Sequence, residues 1–258
     1  MILVTAATAP VGRSIVEQLA AAGAPVRALT RDPEKAGLPA AAEVVSGDLA
    51  DAESLRAAFD GVSAVFLLAA VPGFAPAFLA AAKEAGVRRV VFQSSGAIGQ
   101  DNEIAAFHED LERQISESGL EYTFLRLAVA SSDPLMWAFD VPGQLLAGDV
   151  VRGPYARAQV SSIHPADFAA IAVEALTGDA HAGRTYDVTG PVSMTHAEQI
   201  ERLGKDLGRP LTYEELSPAE ARAAISPFAP ADVLFETWER HLDEPAPVSG
   251  VTPATMGE

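Results

Sequence analysis

The chain has 258 residues, 49% of them hydrophobic, and a formal net charge of −17 from 18 Lys+Arg against 35 Asp+Glu. That length suits one large α/β domain or a core with a small appended lobe, and the absence of cysteine excludes disulfides and thiolate chemistry and makes a cytoplasmic location the simplest reading. So acidic a surface repels phosphate backbones, which disfavours nucleic acid as a partner; no run approaches the roughly 18 apolar residues of a membrane span, and the first strand lacks the basic stretch that would precede a secretory signal.

The first half alternates short apolar runs with helical patterns. "MILVTA" reads as a strand, and "PVGRSIVEQLAAAG" places Val11, Ile15 and Leu19 on one helical face before Gly23 ends it. "PVRALTR" is a second strand and "AEVVSGDL" a short third one, after which Asp51 caps a helix through Phe59. "SAVFLLAA" is continuously apolar, as a strand buried on both faces would be. The helix "APAFLAAAKEAG", the strand "VRRVVFQSS", the long amphipathic helix "EIAAFHEDLERQISESG" and the strand "EYTFLRLAV" follow. Alternation this regular predicts a doubly wound parallel sheet, Rossmann-like, with ligands at the carboxyl ends of the strands. The expected organisation is a core over residues 1–133, with 134–258 returning to the sheet and forming a small substrate lobe in one continuous structural unit. The Pro- and Gly-rich tail "DEPAPVSGVTPATMGE" is expected to be loosely held.

The opening strand runs into a turn and a helix, where a doubly wound protein holds phosphate. A dinucleotide fingerprint there needs three glycines, for the tight turn, for close approach of the pyrophosphate and for helix packing. This chain has Ala6, Ala9 and Gly12. Alanine adds a methyl at the phosphate seat and disfavours a positive φ. Pro10 after Ala9 suits the first helical turn and removes one donor. The helix N-terminus still offers its dipole to an anion; an ordinary strand–turn–helix without phosphate is the alternative. At the end of the second strand stand Arg31 and Lys35, where a cation accommodates the 2′-phosphate of NADP and a carboxylate would hold the ribose of NAD. Asp32 blurs that distinction, and a solvated turn is the other possibility for the two cations.

The segments "ILVTAATAPVGRSIVEQL", "VRALTRDPEKA", "VVSGDLAD", "VFLLAA", "VVFQSSGA", "HEDLERQISESGLEYTFLRL", "SSIHPADFAAIAVEALT" and "GRTYDVTGP" resemble, in order and spacing, the NmrA-like atypical short-chain dehydrogenases over roughly residues 1 to 215. The resemblance implies a Rossmann core with a small C-terminal substrate lobe, and NADP(H) held by Thr5, Ala6, Thr8, Ala9, Pro10, Val11, Arg31, Lys35, Asp48, Leu49, Ala69, Ala70, Gln93 and Ser94. Within that set it assigns Arg31 to the 2′-phosphate and places Asp48 and Leu49 near the adenine.

For catalysis, ordinary short-chain dehydrogenases use a tyrosine, a lysine four residues on and a serine. Here only the serine is matched, by Ser95; the tyrosine place falls near Ile104 and the lysine place at His108. Ser95 and His108 are therefore the catalytic candidates, with a packing histidine as the alternative for His108. Trp137, Tyr155 and His164 are the candidates for a substrate wall. Trp137, Tyr155 and Phe139 serve equally well as core, and Asp167 reads as structural in the first turn of a helix. No metal-ligand spacing is present. The reading adopted is an NADPH-dependent reductase of a quinone or ketone, with a small aromatic substrate. The alternatives are a cofactor-independent descendant that catalyses a cyclisation, isomerisation or dehydration, and a non-catalytic NADP sensor.

Overall fold

The computed structural model describes residues 1–69, 72–128 and 134–256. The chain sorts into two compact units: Met1–Ala128 with His164–Val188 and Gly250–Glu258, and Val129–Ile163 with Thr189–Ser249.

The first unit is built on seven strands: β1 (Ile2–Val4), β2 (Val26–Thr30), β3 (Glu43–Ser46), β4 (Ala64–Leu67), β5 (Arg89–Ser95), β6 (Glu121–Leu127) and β7 (Arg184–Val188). They form one parallel sheet in the order β3-β2-β1-β4-β5-β6-β7. The order reverses between β1 and β4, which opens a crevice at their carboxyl ends. Central strands are apolar on both sides because helices cover both faces. On one face α2 (Ala52–Ala58), α3 (Ala75–Glu84) and α4 (Glu103–Glu117) bury Leu55, Phe59, Phe78, Leu111 and Ile115 against Leu3, Val65, Leu67, Val90 and Phe92. On the other, α1 (Pro10–Ala21) packs against α5 (Pro165–Thr177), joined by a Gln18 Nε2 donation to Ala166 O at 2.8 Å.

Two buried arginines secure the amino-terminal edge of this unit. Arg27 donates to the carbonyls of Ala58 and Asp60 at 2.8 and 2.7 Å and pairs with Glu43. Arg89, 2% exposed, reaches the carbonyls of Ala175 and Leu176 in the last turn of α5 and of Gly178 just after it. Cations at helix carboxyl ends satisfy carbonyls that lack intrahelical donors. Asp51 caps α2 as expected, accepting the Glu53 N–H at 3.1 Å.

The second unit has helices at Pro134–Ala138, Val141–Ala147, His196–Leu207, Pro218–Ala224 and Ala231–Arg240. The strand Val150–Gly153 pairs parallel with Thr212–Glu215, and Gln159–Val160 pairs antiparallel with Met194–Thr195. Its core gathers Leu135, Phe139, Val151, Ile200, Phe235 and Trp238. The carboxyl-terminal tail is not loose. Ala246 and Ser249 donate backbone N–H groups to Ser193 Oγ and Thr189 Oγ1 at 3.0 and 2.9 Å, and Ala246 and Met256 are buried. Apolar side chains among the prolines find cover, which the polar look of the tail does not reveal.

Candidate functional site

The strand–turn–helix after β1 is fastened before it turns. Thr5 donates its N–H to Phe66 O at 3.0 Å, and its buried hydroxyl accepts the Leu68 N–H at 2.9 Å. Ala6 then adopts a left-handed conformation with φ 47°, at a cost of roughly 1 kcal/mol for a residue with a Cβ. Its carbonyl accepts the Ala9 N–H at 2.9 Å, which closes the turn. Ala9 is extended, Pro10 opens α1, and no side chain caps the helix. The Val11 and Gly12 N–H groups are thus left at the helix entrance, where an anion can take them. Gly12 is required: a Cβ there would lie 2.3 Å from Ala6 O.

A cavity of about 480 Å³ opens over this turn at the carboxyl ends of β1 to β4. Among the described residues its wall comprises Thr5, Ala6, Thr8 and Ala9, then Leu29 to Asp32, Gly47 to Leu49, and Leu68. Arg31 is exposed and has no hydrogen bond or ion pair among the described residues. Lys35 is not part of the wall; its Nζ pairs with Asp32 Oδ2 at 2.6 Å. Asp48 is set in a turn, its Oδ1 accepting the Ala50 N–H at 2.9 Å and its N–H bonded to Ser54 Oγ at 3.0 Å. Leu49 leans on the core from the cavity side. Pro10 and Val11 stand behind the wall in α1. Ala69 is 8% exposed and belongs to the apolar core, so its small size serves packing. Ala70 lies outside the described residues.

The carboxyl end of β5 divides its residues between two faces. Ser94 follows Val90 and Phe92 towards α4, where it is 3% exposed and donates to Glu112 Oε1 at 2.6 Å. Glu112, 8% exposed, also accepts from Arg126 Nε at 3.0 Å and Nη2 at 2.7 Å. This network commits Ser94 to the scaffold; as a cofactor ligand it is displaced by its own strand parity. Glu112 and Arg126 were not among the residues expected to matter. Their signals in the sequence were an arginine inside an apolar strand and a glutamate between Leu111 and Ile115 on the buried helical face.

Ser95, half-buried, accepts the Ala97 N–H on its Oγ at 3.1 Å and so retains its own proton. Gln93 carries a buried Oε1 with no hydrogen-bond partner among the described residues. His108 stacks on Phe92, ring centroids 5.9 Å apart, and its Nδ1 lies 2.8 Å from Ile104 O. A carbonyl only accepts, so Nδ1 holds the proton and Nε2 of the neutral ring is an acceptor. Burial lowers the pKa of His108, against the opposing pull of the Ile104 bond and the Glu112 charge. The neutral ring at ordinary pH argues against His108 as a proton donor.

The three substrate candidates fall in different surroundings. His164 is an exposed cap of α5, its Nδ1 accepting the Ala166 N–H at 3.2 Å; the residue before a helix spends its side chain on the free N–H groups. Trp137, in the second unit, is 44% exposed. Tyr155, in the same unit, sits at φ 49° and donates its hydroxyl to Glu239. Burial, then the Glu239 bond and charge, push its pKa up to about 12. Phe139 is core, packed on Trp238. Among the described residues no group of three or more acidic, histidine or cysteine side chains could hold a metal, and no helix is long and apolar enough to cross a membrane.

This geometry meets close relatives. A family described as NAD(P)H-binding matches residues 6–179. The chain is 42% identical over 249 residues, 93% of its length and 86% of the relative's, to a (4-alkanoyl-5-oxo-2,5-dihydrofuran-3-yl)methyl phosphate reductase of Streptomyces griseus. It is 32% identical, over 92% of its length and 86% of the relative's, to an NAD(P)H azoreductase of Xenophilus azovorans. Among solved structures, the NADPH-dependent quinone oxidoreductase of Escherichia coli complexed with NADPH superposes with a TM-score of 0.73 at 27% identity, covering 94% of this chain and 88% of that one. The uncapped helix entrance, the glycine demanded under Ala6 and the arginine at the end of β2, unpaired among the described residues, fit that cofactor class. The chain belongs to the NAD(P)H-binding, NmrA-like branch of the atypical short-chain dehydrogenases/reductases.

Proposed function

We propose that this NAD(P)H-dependent oxidoreductase takes its hydride from NADPH and gives it to a small quinone or conjugated carbonyl compound. The observation that carries the choice of NADPH is Arg31, a cation on the wall of the cavity with no partner among the described residues. In a chain of net charge −17, an unspent cation at the end of β2 favours an additional phosphate. The entrance of α1 would take the pyrophosphate, and Asp48 and Leu49 would flank the adenine.

When bound, the nicotinamide supplies a hydride. The residues of the chain limit what can accept it. The tyrosine–lysine pair that protonates an isolated ketone has no counterpart at Ile104 and His108, and His108 offers an acceptor. Ser95 retains a hydroxyl proton but has no general acid bonded to it among the described residues. Conjugated acceptors ease that demand: the charge left by the hydride spreads into an enolate or a hydroquinone anion, which a weak donor or solvent protonates. The named activities of the relatives, on a dihydrofuranone phosphate and on azo compounds, support acceptors of that electronic kind.

The test is a screen for oxidation of NADPH with quinones, butenolides, open-chain enones and isolated ketones. Turnover with conjugated acceptors and none with isolated ketones is expected. Faster turnover of isolated ketones would overturn the substrate class, and binding of NADPH without oxidation by any acceptor would favour a sensor.

A further inference from the structure

Asp32 lines the cavity beside Arg31, where a bare carboxylate would repel a 2′-phosphate and hold ribose hydroxyls instead. Lys35 Nζ stands 2.6 Å from Asp32 Oδ2 across the single 3-10 turn Pro33–Lys35. The side chains are 85% and 49% exposed, and an exposed pair held only by its own side chains contributes little. Here the backbone is held as well. Pro33 fixes one torsion of the turn, and Asp32 N–H donates to Thr30 Oγ1 at 3.3 Å. Arg13 of α1 donates to the carbonyls of Gly37 and Ala36 at 2.7 and 2.8 Å. Arg13 occupies the first turn of a helix, where the dipole disfavours a cation; strapping this turn is what it does there.

We propose that Lys35 determines cofactor choice through Asp32, masking its carboxylate and not binding the 2′-phosphate itself. This rests on the reading of NADPH as the cofactor and Arg31 as its phosphate ligand. Arg31, Asp32 and Lys35 then sum to one positive charge, Glu34 of the same turn being exposed and outside the cavity wall. Without Lys35, Asp32 cancels Arg31, and its carboxylate is available to the hydroxyls of NADH.

A double-mutant cycle separates masking from direct contact. Dissociation constants for NADPH and NADH would be measured by calorimetry on the full chain for wild type, Lys35→Met, Asp32→Asn and the double variant. Lys35→Met alone should weaken NADPH by about fivefold, the upper range for a surface pair, and leave NADH unchanged or tighter. In the Asp32→Asn background the same substitution should change NADPH by less than about twofold, the usual limit of additivity. Equal loss of NADPH in both backgrounds would make Lys35 a direct ligand, and no loss in either would make the pair a bystander; both overturn masking alone. A wild type that binds NADH as tightly as NADPH overturns the underlying reading and masking with it.

Discussion

Gly12 lies directly beneath the carbonyl of Ala6: a Cβ on Gly12 would stand 2.3 Å from that oxygen. The two positions need glycine for different reasons. At Gly12 the need is space against backbone, which nothing flexible can relieve. At Ala6 the need is torsional, at φ 47°. Gly12→Ala should therefore displace the turn, abolish measurable NADPH binding and lower Tm by several degrees, since overpacking against backbone costs about 1–3 kcal/mol. Ala6→Gly should be nearly neutral in stability. Relief of roughly 1 kcal/mol of left-handed strain is offset by the larger unfolded-state entropy of glycine. NADPH should bind at least as well to Ala6→Gly as to wild type. A calorimetric comparison in which Ala6→Gly loses binding and Gly12→Ala keeps it would reverse this assignment.

Arg31 lines the cavity without a partner among the described residues, so its removal leaves none of their polar groups unpaired. Arg31→Ala should keep its Tm and lose about tenfold to a hundredfold in NADPH affinity, the worth of a charge-assisted bond to phosphate. NADH affinity should change by less than about twofold. Equal loss for both cofactors would show that the arginine reads something the two share.

These two predictions mark what was legible in the sequence. The doubly wound parallel sheet was, because apolar strands alternate with helices of clear period; its strand order comes from the structure. The place of Arg31 on the cavity wall was, because a cation at a strand end is a local fact. The fate of Ser94 was not. "VVF" before it is apolar on both faces, so alternation carries no mark of which serine turns towards α4; the packing of Val90 and Phe92 decides it. The pairing of Lys35 was not legible for a similar reason, since it depends on how the turn Pro33–Lys35 closes. His164 read as a wall residue and proved a helix cap, a role that position before "PADF" also permits. The second unit, with its strands of two to four residues, left too short a period to read.

Ser94 and Ser95 are neighbours with opposite assignments. Ser94→Ala removes a bond to a buried carboxylate that keeps two others from Arg126. It should cost about 1 kcal/mol of stability and leave KM for NADPH unchanged. Glu112→Ala strips Arg126 of its partner and leaves Ser94 without an acceptor, a loss of roughly 3 kcal/mol for a largely buried pair. Ser95→Ala gives up only the Ala97 N–H contact at a half-buried turn, where water can replace it; it should lower Tm less than Ser94→Ala and reduce kcat. Denaturant titrations beside steady-state kinetics on the three variants would check the division. A kcat loss confined to Ser94→Ala would contradict it.

Tyr155 invites comparison with the missing catalytic tyrosine, and its chemistry declines the role. A phenol held up to about 12 by burial and Glu239 is a poorer acid than free tyrosine, whereas a proton donor needs a pKa near the working pH. Tyr155→Phe should therefore retain most of kcat and lose about 1 kcal/mol of stability from the lost bond. It should add no new inflection to the pH–rate profile between neutrality and pH 9. A profile that loses a basic limb in this variant would return Tyr155 to the mechanism.

His108 carries the pH dependence that can be worked out with sign. Its folded pKa lies below the ordinary 6.5 because burial disfavours the imidazolium. Between the two values the unfolded chain binds more protons than the folded one, so stability rises with pH there. The contribution is complete above the unfolded pKa and is lost as pH falls from about 6.5 through the folded value. His241 is lowered in the same direction, first by burial and then by Arg240, so the two must be separated. Tm measured from pH 8 down to pH 5 should fall less steeply in His108→Gln than in wild type, and the same should hold for His241→Gln. If His108 serves as an acceptor and not as an acid, kcat of His108→Gln should stay within about tenfold of wild type, below the usual range for losing a general acid. It should also lack any new dependence on buffer acid. Rescue of a crippled His108→Gln by added imidazolium would identify the side chain as the proton donor after all.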